Sequence, residues 1–131
     1  MIYHTCEMQP EGFTAGTFRD LEPAVHRAVR ACEGRPGFNM IAVQGVSGMA
    51  IGFPLAVKLG VPIVVVRKPD EDSHSDAGTI TGESVKGKRC LFVDDFVSMG
   101  RTRQRVRLAV ERAGGKLTAE YMSRDDAFRR L

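Results

Sequence analysis

The chain reads as an α/β domain with a doubly wound, mainly parallel sheet of four to five strands flanked by helices. Three observations predict this. Short apolar runs rich in Val and Ile, near 40–44, 62–66, 89–94 and 116–122, alternate with segments of helical period near 18–33, 50–59 and 101–113. Strand-to-helix junctions carry glycine, as at Gly45-Val46-Ser47-Gly48 and Ser98-Met99-Gly100. The apolar runs are nearly continuous rather than alternating, as in strands covered on both faces.

Length and composition bound the answer. A chain of 131 residues is one domain by the usual prior, and 43% hydrophobic with 27% charged residues is enough to bury a core. A net charge of +3 suits a pocket for an anionic substrate better than a nucleic-acid surface, which concentrates basic charge more strongly. Cys6, Cys32 and Cys90 are odd in number and lack metal-type spacing, which predicts reduced thiols and a cytoplasmic setting. No basic-then-apolar leader opens the chain, and no apolar run reaches membrane-spanning length.

Residues 1–16 show no clear period and are expected to form a short strand or an irregular arm. Thr17 through Asp20 resemble a capping box, and Leu21, Val25, Ala28, Val29 and Cys32 then recur at helical spacing up to Gly34. His26 lies off that stripe and reads as solvated. Phe38–Gln44 is a strand leading into a glycine loop, Gly45–Gly52, and a helix through Leu55, Ala56 and Leu59. The glycines of that loop allow either close backbone approach to an anion or close helix–sheet packing. Val61–Val66 is β-branched and apolar, a central strand with Pro62 at its start, and Arg67-Lys68 follows it directly. Residues 68–87 are polar and read as a mobile flap, with Thr79-Ile80-Thr81 as one strand of it and His74 as a possible proton donor or an exposed residue. Residues 101–113 form a helix with Val106, Ala109, Val110 and Ala113 inward and Arg103, Arg105, Arg107 and Arg112 mostly solvated. Lys116–Met122 alternates like a last, partly exposed strand, and 124–131 is a polar tail. Phe13, Phe96 and Phe128 can stack on a base or pack at an edge.

The chemistry gathers at Cys90-Leu91-Phe92-Val93-Asp94-Asp95-Phe96-Val97-Ser98-Met99-Gly100-Arg101-Thr102. This is a buried strand, two carboxylates at its tip and a small loop opening a helix. Free backbone N–H groups and the positive dipole end of that helix favour phosphate, with the Ser98 and Thr102 hydroxyls as further donors. Asp94 and Asp95 can accept hydrogen bonds from sugar hydroxyls or help hold a divalent metal. A phosphate cradle beside paired carboxylates calls for a ligand with both phosphate and sugar. The plainer reading is a strand whose two acids cap the next helix.

This run resembles the signature of the type I phosphoribosyltransferases, and the resemblance extends over 38–122. It implies that Asp94 and Asp95 touch the ribose hydroxyls of phosphoribosyl pyrophosphate and lie by Mg²⁺, and that Val97, Ser98, Met99, Gly100, Arg101 and Thr102 bind its 5-phosphate. It implies that Val46, Ser47, Gly48 and Met49 belong to a pyrophosphate loop. Leu59-Gly60-Val61-Pro62 through Arg67-Lys68 resembles adenine and xanthine phosphoribosyltransferases, in which the basic residues face pyrophosphate; solvated strand-end charges are the alternative. The expected activity is transfer of ribose 5-phosphate to a nitrogenous base with release of pyrophosphate. Ser98 stands where 6-oxopurine enzymes have Asp, which points to adenine or a pyrimidine.

The chain departs from the family pattern in places. Met99 and Arg101 are unusual in the phosphate loop, Gly45–Gly52 holds no cation, and Asp70, Glu71, Asp72 and Asp76 make the flap acidic. A base-reading hood would be small, built from 1–16 and 123–131. These departures favour the alternative of a non-catalytic module that senses phosphoribosyl pyrophosphate or a nucleotide. The resemblance also implies a homodimer, while the mild charge and the short apolar runs lead us to expect no nucleic-acid or membrane partner.

Overall fold

The structure is a computed structural model that describes residues 18–68, 79–95 and 100–131, with the backbone alone for 18 and 19. The expectations for the arm at 1–16, the Thr17 cap, Cys6, Phe13, the acidic flap residues with His74, and Phe96 lie outside the described residues. In chain order the elements are α1 (Phe18–Cys32), β1 (Met40–Val43), α2 (Gly45–Leu59), β2 (Ile63–Val66), β3 (Ile80–Thr81), β4 (Arg89–Asp94), α3 (Arg101–Arg112), β5 (Lys116–Met122) and β6 (Ala127–Arg130).

The strands form one six-stranded sheet in the order β3-β2-β1-β4-β5-β6. The four inner strands are parallel, and the short edge strands β3 and β6 run antiparallel to their neighbours. The doubly wound α/β prediction holds, with more strands than expected. The difference is β6: the tail read as polar is a strand paired with β5 through Tyr121↔Phe128 and Met122↔Ala127. Its composition misleads because an edge strand keeps one margin and much of its surface in water. β5 is accordingly an inner strand, and from Ala119 to Met122 it is buried throughout.

Alternation along β1 assigns the two faces of the sheet. Ile41 and Val43 pack with Ala24, Val25, Ala28 and Cys32 of α1 and Ile51, Leu55 and Ala56 of α2. Met40 and Ala42 pack on the opposite face with Val106, Ala109 and Val110 of α3. Ala113, expected inward on α3, is instead its exposed C-cap residue. Phe128 joins the first cluster, lies 6.2 Å from Phe38 between ring centroids, and carries the Arg35 guanidinium 4.8 Å over its ring. It packs at the edge rather than standing free for a base. Cys32 and Cys90 are buried free thiols, and burial pushes them up to about 12 and about 11. Both are therefore poor nucleophiles at neutral pH.

The helix expected from residue 50 begins at Gly45. Gln44 is extended, Gly45 takes a left-handed φ of 84°, and the chain enters the helix with no intervening loop. Gly48 and Gly52 then let α2 lie close on the sheet. A Cβ on Gly48 would meet the Val93 carbonyl oxygen at 2.8 Å, and one on Gly52 would meet Val43 Cγ1 at 2.6 Å. The packing reading of these glycines is the one that the structure carries.

Gly48→Ala should therefore destabilise the protein by about 1–3 kcal/mol, because a backbone oxygen cannot step aside as a side chain can. Urea denaturation of the two proteins measures this, and equal midpoints would show that the contact relaxes freely.

Candidate active site

Strand order reverses between β1 and β4: the β1-α2-β2 crossover runs to one side and the β4-α3-β5 crossover to the other. The crevice above the carboxyl ends of β1 and β4 is where such sheets bind ligands. Gln44 directly follows β1, and β4 ends in Asp94 with Asp95 next, so sequence features 50 residues apart arrive side by side through the Val43↔Val93 pairing.

Asp94 and Asp95 are both buried. Their backbone is pinned by the end of β5, with the Ser123 N–H donating to the Asp94 carbonyl at 2.9 Å and the Arg124 N–H to the Asp95 carbonyl at 2.8 Å. The Asp95 N–H donates to Asp94 Oδ1 at 2.9 Å. Burial is the main influence on the Asp94 carboxyl and pushes it up to about 7; the Asp95 N–H and the Lys68 ammonium pull it back, while the Asp95 carboxylate adds to the rise. A carboxyl poised near neutrality at a strand tip is a group whose charge a neighbouring cation or sugar hydroxyl can set.

Beside the acids, a cavity of about 220 Å³ opens between the first turn of α2 and the end of β2. It is lined by Gln44, Gly45, Val46 and Met49 on one wall and Val65, Val66, Arg67 and Lys68 on the other. The N-terminus of α2 presents unpaired N–H groups and a positive dipole end here, with no acidic residue in its first turn. Of the residues expected in a pyrophosphate loop, Val46 and Met49 line the cavity, Ser47 is half-buried beside them, and Gly48 is turned into the helix–sheet contact. Arg67 and Lys68 are both at the cavity.

On the far side of the acids, Gly100 caps α3 with a left-handed φ of 75° and Arg101 and Thr102 open its first turn, again without an acidic residue. Val97, Ser98 and Met99, expected to complete the phosphate loop, lie outside the described residues.

Residues that the sequence reading passed over hold this arrangement in place. Arg103, expected in solvent, donates to Glu120 Oε1 at 2.8 Å, and Arg129 of β6 donates to Oε2 at 2.8 Å. Glu120 is wholly buried. Burial would raise its carboxyl, but the two guanidiniums outweigh burial and hold it below the usual range. Arg105 is likewise half-buried and donates from Nε to Gln44 Oε1. Alternation along β5 places Glu120 on the α3 face, and a carboxylate at an inward position was the available signal for a buried partner. Ser123 is buried next to the backbone of the acidic pair, and its hydroxyl has no partner among the described residues.

Comparison with known proteins fits this geometry. No family model matches the sequence. The adenine phosphoribosyltransferase of Caldanaerobacter subterraneus subsp. tengcongensis is 32% identical in an alignment that takes in 75% of this chain and 69% of that one. The crystal structure of adenine phosphoribosyltransferase from Thermoanaerobacter pseudethanolicus superposes with a TM-score of 0.64 at 28% identity, covering 79% of this chain and 67% of that one. The orotate phosphoribosyltransferase of Francisella tularensis shares the fold at 14% identity, with a TM-score of 0.69 over 84% of this chain and 55% of that one. With the acidic pair, the cavity and the two helix N-termini at one switch point, this chain belongs to the type I phosphoribosyltransferase family.

Proposed function

We propose that the protein transfers the 5-phosphoribosyl group of phosphoribosyl pyrophosphate to a nitrogenous base, and that adenine is the base to try first. The observation that carries this is the meeting of the cavity, with Lys68 on its wall, and the buried Asp94-Asp95 pair, close enough for the Lys68 charge to be felt at Asp94. Relatives named adenine phosphoribosyltransferase and the Ser at position 98 both favour adenine.

In the reaction the C1–oxygen bond to pyrophosphate breaks, a C1–nitrogen bond to the base forms, and the base loses its proton. Positive charge develops on the ribose and negative charge on the departing pyrophosphate. The α2 N-terminus, Arg67 and Lys68 stabilise the leaving group, and the α3 N-terminus anchors the 5-phosphate. Asp94 and Asp95 orient the ribose hydroxyls and favour its cationic character. The donor set fits Mg²⁺ that arrives with the substrate: the described residues contain no cluster of three or more metal-binding side chains, and Mg²⁺ commonly uses one or two carboxylates plus substrate phosphates. When bound, it would neutralise pyrophosphate charge beside Asp94 and Asp95.

The protein acts as a homodimer in this reading. Val46, Phe53 and Val57 are exposed and recur at seven and four residues along α2, so they share one helix face with Ala50 between them. Val46 also lines the cavity, so a second copy seated on this stripe would wall the site. The described helices include none long and apolar enough to cross a membrane.

Three outcomes follow. Calorimetric titration of phosphoribosyl pyrophosphate with Mg²⁺ should show binding to the wild type and none to Asp94→Asn/Asp95→Asn; binding to both would remove the acids from the site. Arg67→Ala/Lys68→Ala should cost at least about a hundredfold in pyrophosphate release while ribose 5-phosphate still binds, and a wild type that binds but never turns over with any base would leave the sensor reading standing. Without Mg²⁺, Asp94→Asn should raise the melting temperature at pH 8 by a few degrees and change it little at pH 4. The sign follows from the raised carboxyl: the folded state holds the Asp94 proton more tightly than the unfolded state, so stability is full below about pH 4 and falls as pH rises toward 7. A mutant that gains nothing at pH 8 would show that the carboxylate is solvated in the folded protein.

A further inference from the structure

The first turn of α2 has no cationic side chain, and one side chain that the proposed chemistry does not use bridges its start to the end of β2. Gln44 is 3% exposed and occupies the N-cap position of α2, where Ser, Asp or Asn would bond back to the helix. Its side chain makes no such bond. It reaches instead to the neighbouring strand, one residue past the Val43↔Val65 pair, and Nε2 donates to the Val66 carbonyl at 3.1 Å. Its Oε1 accepts from Arg105 Nε at 3.3 Å. The amide can be oriented only one way, because a carbonyl only accepts and a guanidinium only donates. Val66 immediately precedes Arg67 and Lys68, so the bond sets the point from which both cations leave β2. Gln44 therefore ties the two walls of the cavity to each other and, through Arg105, to the second turn of α3.

We propose that Gln44, locked between Arg105 and the Val66 carbonyl, is a positioning residue for the pyrophosphate half of the site, holding the α2 N-terminus and the Arg67-Lys68 segment at the separation that the diphosphate requires. The inference rests on the transfer reading. Two strand ends and a helix start meet around one buried amide, and each is a part of the wall that an anion would touch. Among the described residues this amide bonds toward the 5-phosphate end only through Arg105, so the two ligand halves should respond differently.

Inorganic pyrophosphate with Mg²⁺ and ribose 5-phosphate are titrated separately into the full chain. Gln44→Met keeps the volume and removes both hydrogen bonds; pyrophosphate affinity should fall roughly tenfold, while ribose 5-phosphate affinity stays within about twofold. Gln44→Glu keeps the Arg105 partner but sets two acceptors face to face at Val66, and should bind pyrophosphate no better than Gln44→Met. Arg105→Gln, a half-exposed position that spares the core, should show the same selective loss, and Arg105→Lys should recover part of it. Equal loss of both ligands, or no loss of either in folded Gln44→Met and Arg105→Gln, overturns the inference. A wild type that binds neither ligand overturns the transfer reading and this inference with it.

Discussion

The parallel pairing of β1 with β4 is the constraint on which the rest of the molecule depends. It joins two right-handed crossovers that wind in opposite directions, and so brings the N-termini of α2 and α3 to one edge of the sheet. Each helix presents its positive end there, and neither has an acidic residue in its first turn to quench it. The acidic pair ends β4 between them. Register decides this placement: a shift of one residue between β1 and β4 would exchange the faces of Met40 and Ile41 and break both halves of the core at once.

Positive charge gathered at one edge has to be held against its own repulsion. α3 carries Arg101, Arg103, Arg105 and Arg107 in its first two turns, an arrangement opposed by its own dipole. Two of the four are tied to buried acceptors: Arg103 to Glu120, which Arg129 also clasps, and Arg105 to Gln44. Glu120 would be costly alone in the interior, and a single arginine would leave one of its oxygens unpaired; with both it is satisfied. The consequence is geometric as much as energetic. The start of α3 is fastened to β5 and β6 on one side and to the end of β1 on the other, which fixes the direction of its N–H groups.

The fold was legible because burial wrote it into the apolar runs. Val61–Val66 and Cys90–Val93 announce inner strands, and the stripe through Val25, Ala28 and Cys32 announces α1. The acidic pair and Arg67-Lys68 were legible because they directly follow such strands. What escaped was of two kinds. Ala127–Arg130 forms an edge strand, whose ladder depends on β5 rather than on a pattern of its own. Arg103, Arg105, Gln44 and Glu120 form cross-chain pairs separated by 17 and 61 residues, and no local period encodes a partner that far away. The start of α2 was misread for a third reason: glycine supplied the turn inside the helix boundary, so a loop by composition is a helix by geometry.

The buried acidic pair also explains why the site is costly to maintain. Asp94 has left water, and its carboxyl responds by holding its proton up to about pH 7. An asparagine there would suit the folded protein better at neutral pH, as would an apolar residue in place of Ser123, whose buried hydroxyl has no partner among the described residues. Under the transfer reading proposed above, a ligand's hydroxyls and a cation at the crevice would add to the hydrogen bond that the Asp95 N–H gives Asp94. The Lys68 ammonium already acts on Asp94, pulling its carboxyl back against the effect of burial. Two unfavourable terms, the buried Asp94 carboxyl and the Ser123 hydroxyl, lie at the switch point, and a third, the buried Arg107 Nε without a partner among the described residues, lies on α3. Under the same transfer reading, the placement of the first two is what residues kept for binding rather than for stability would show.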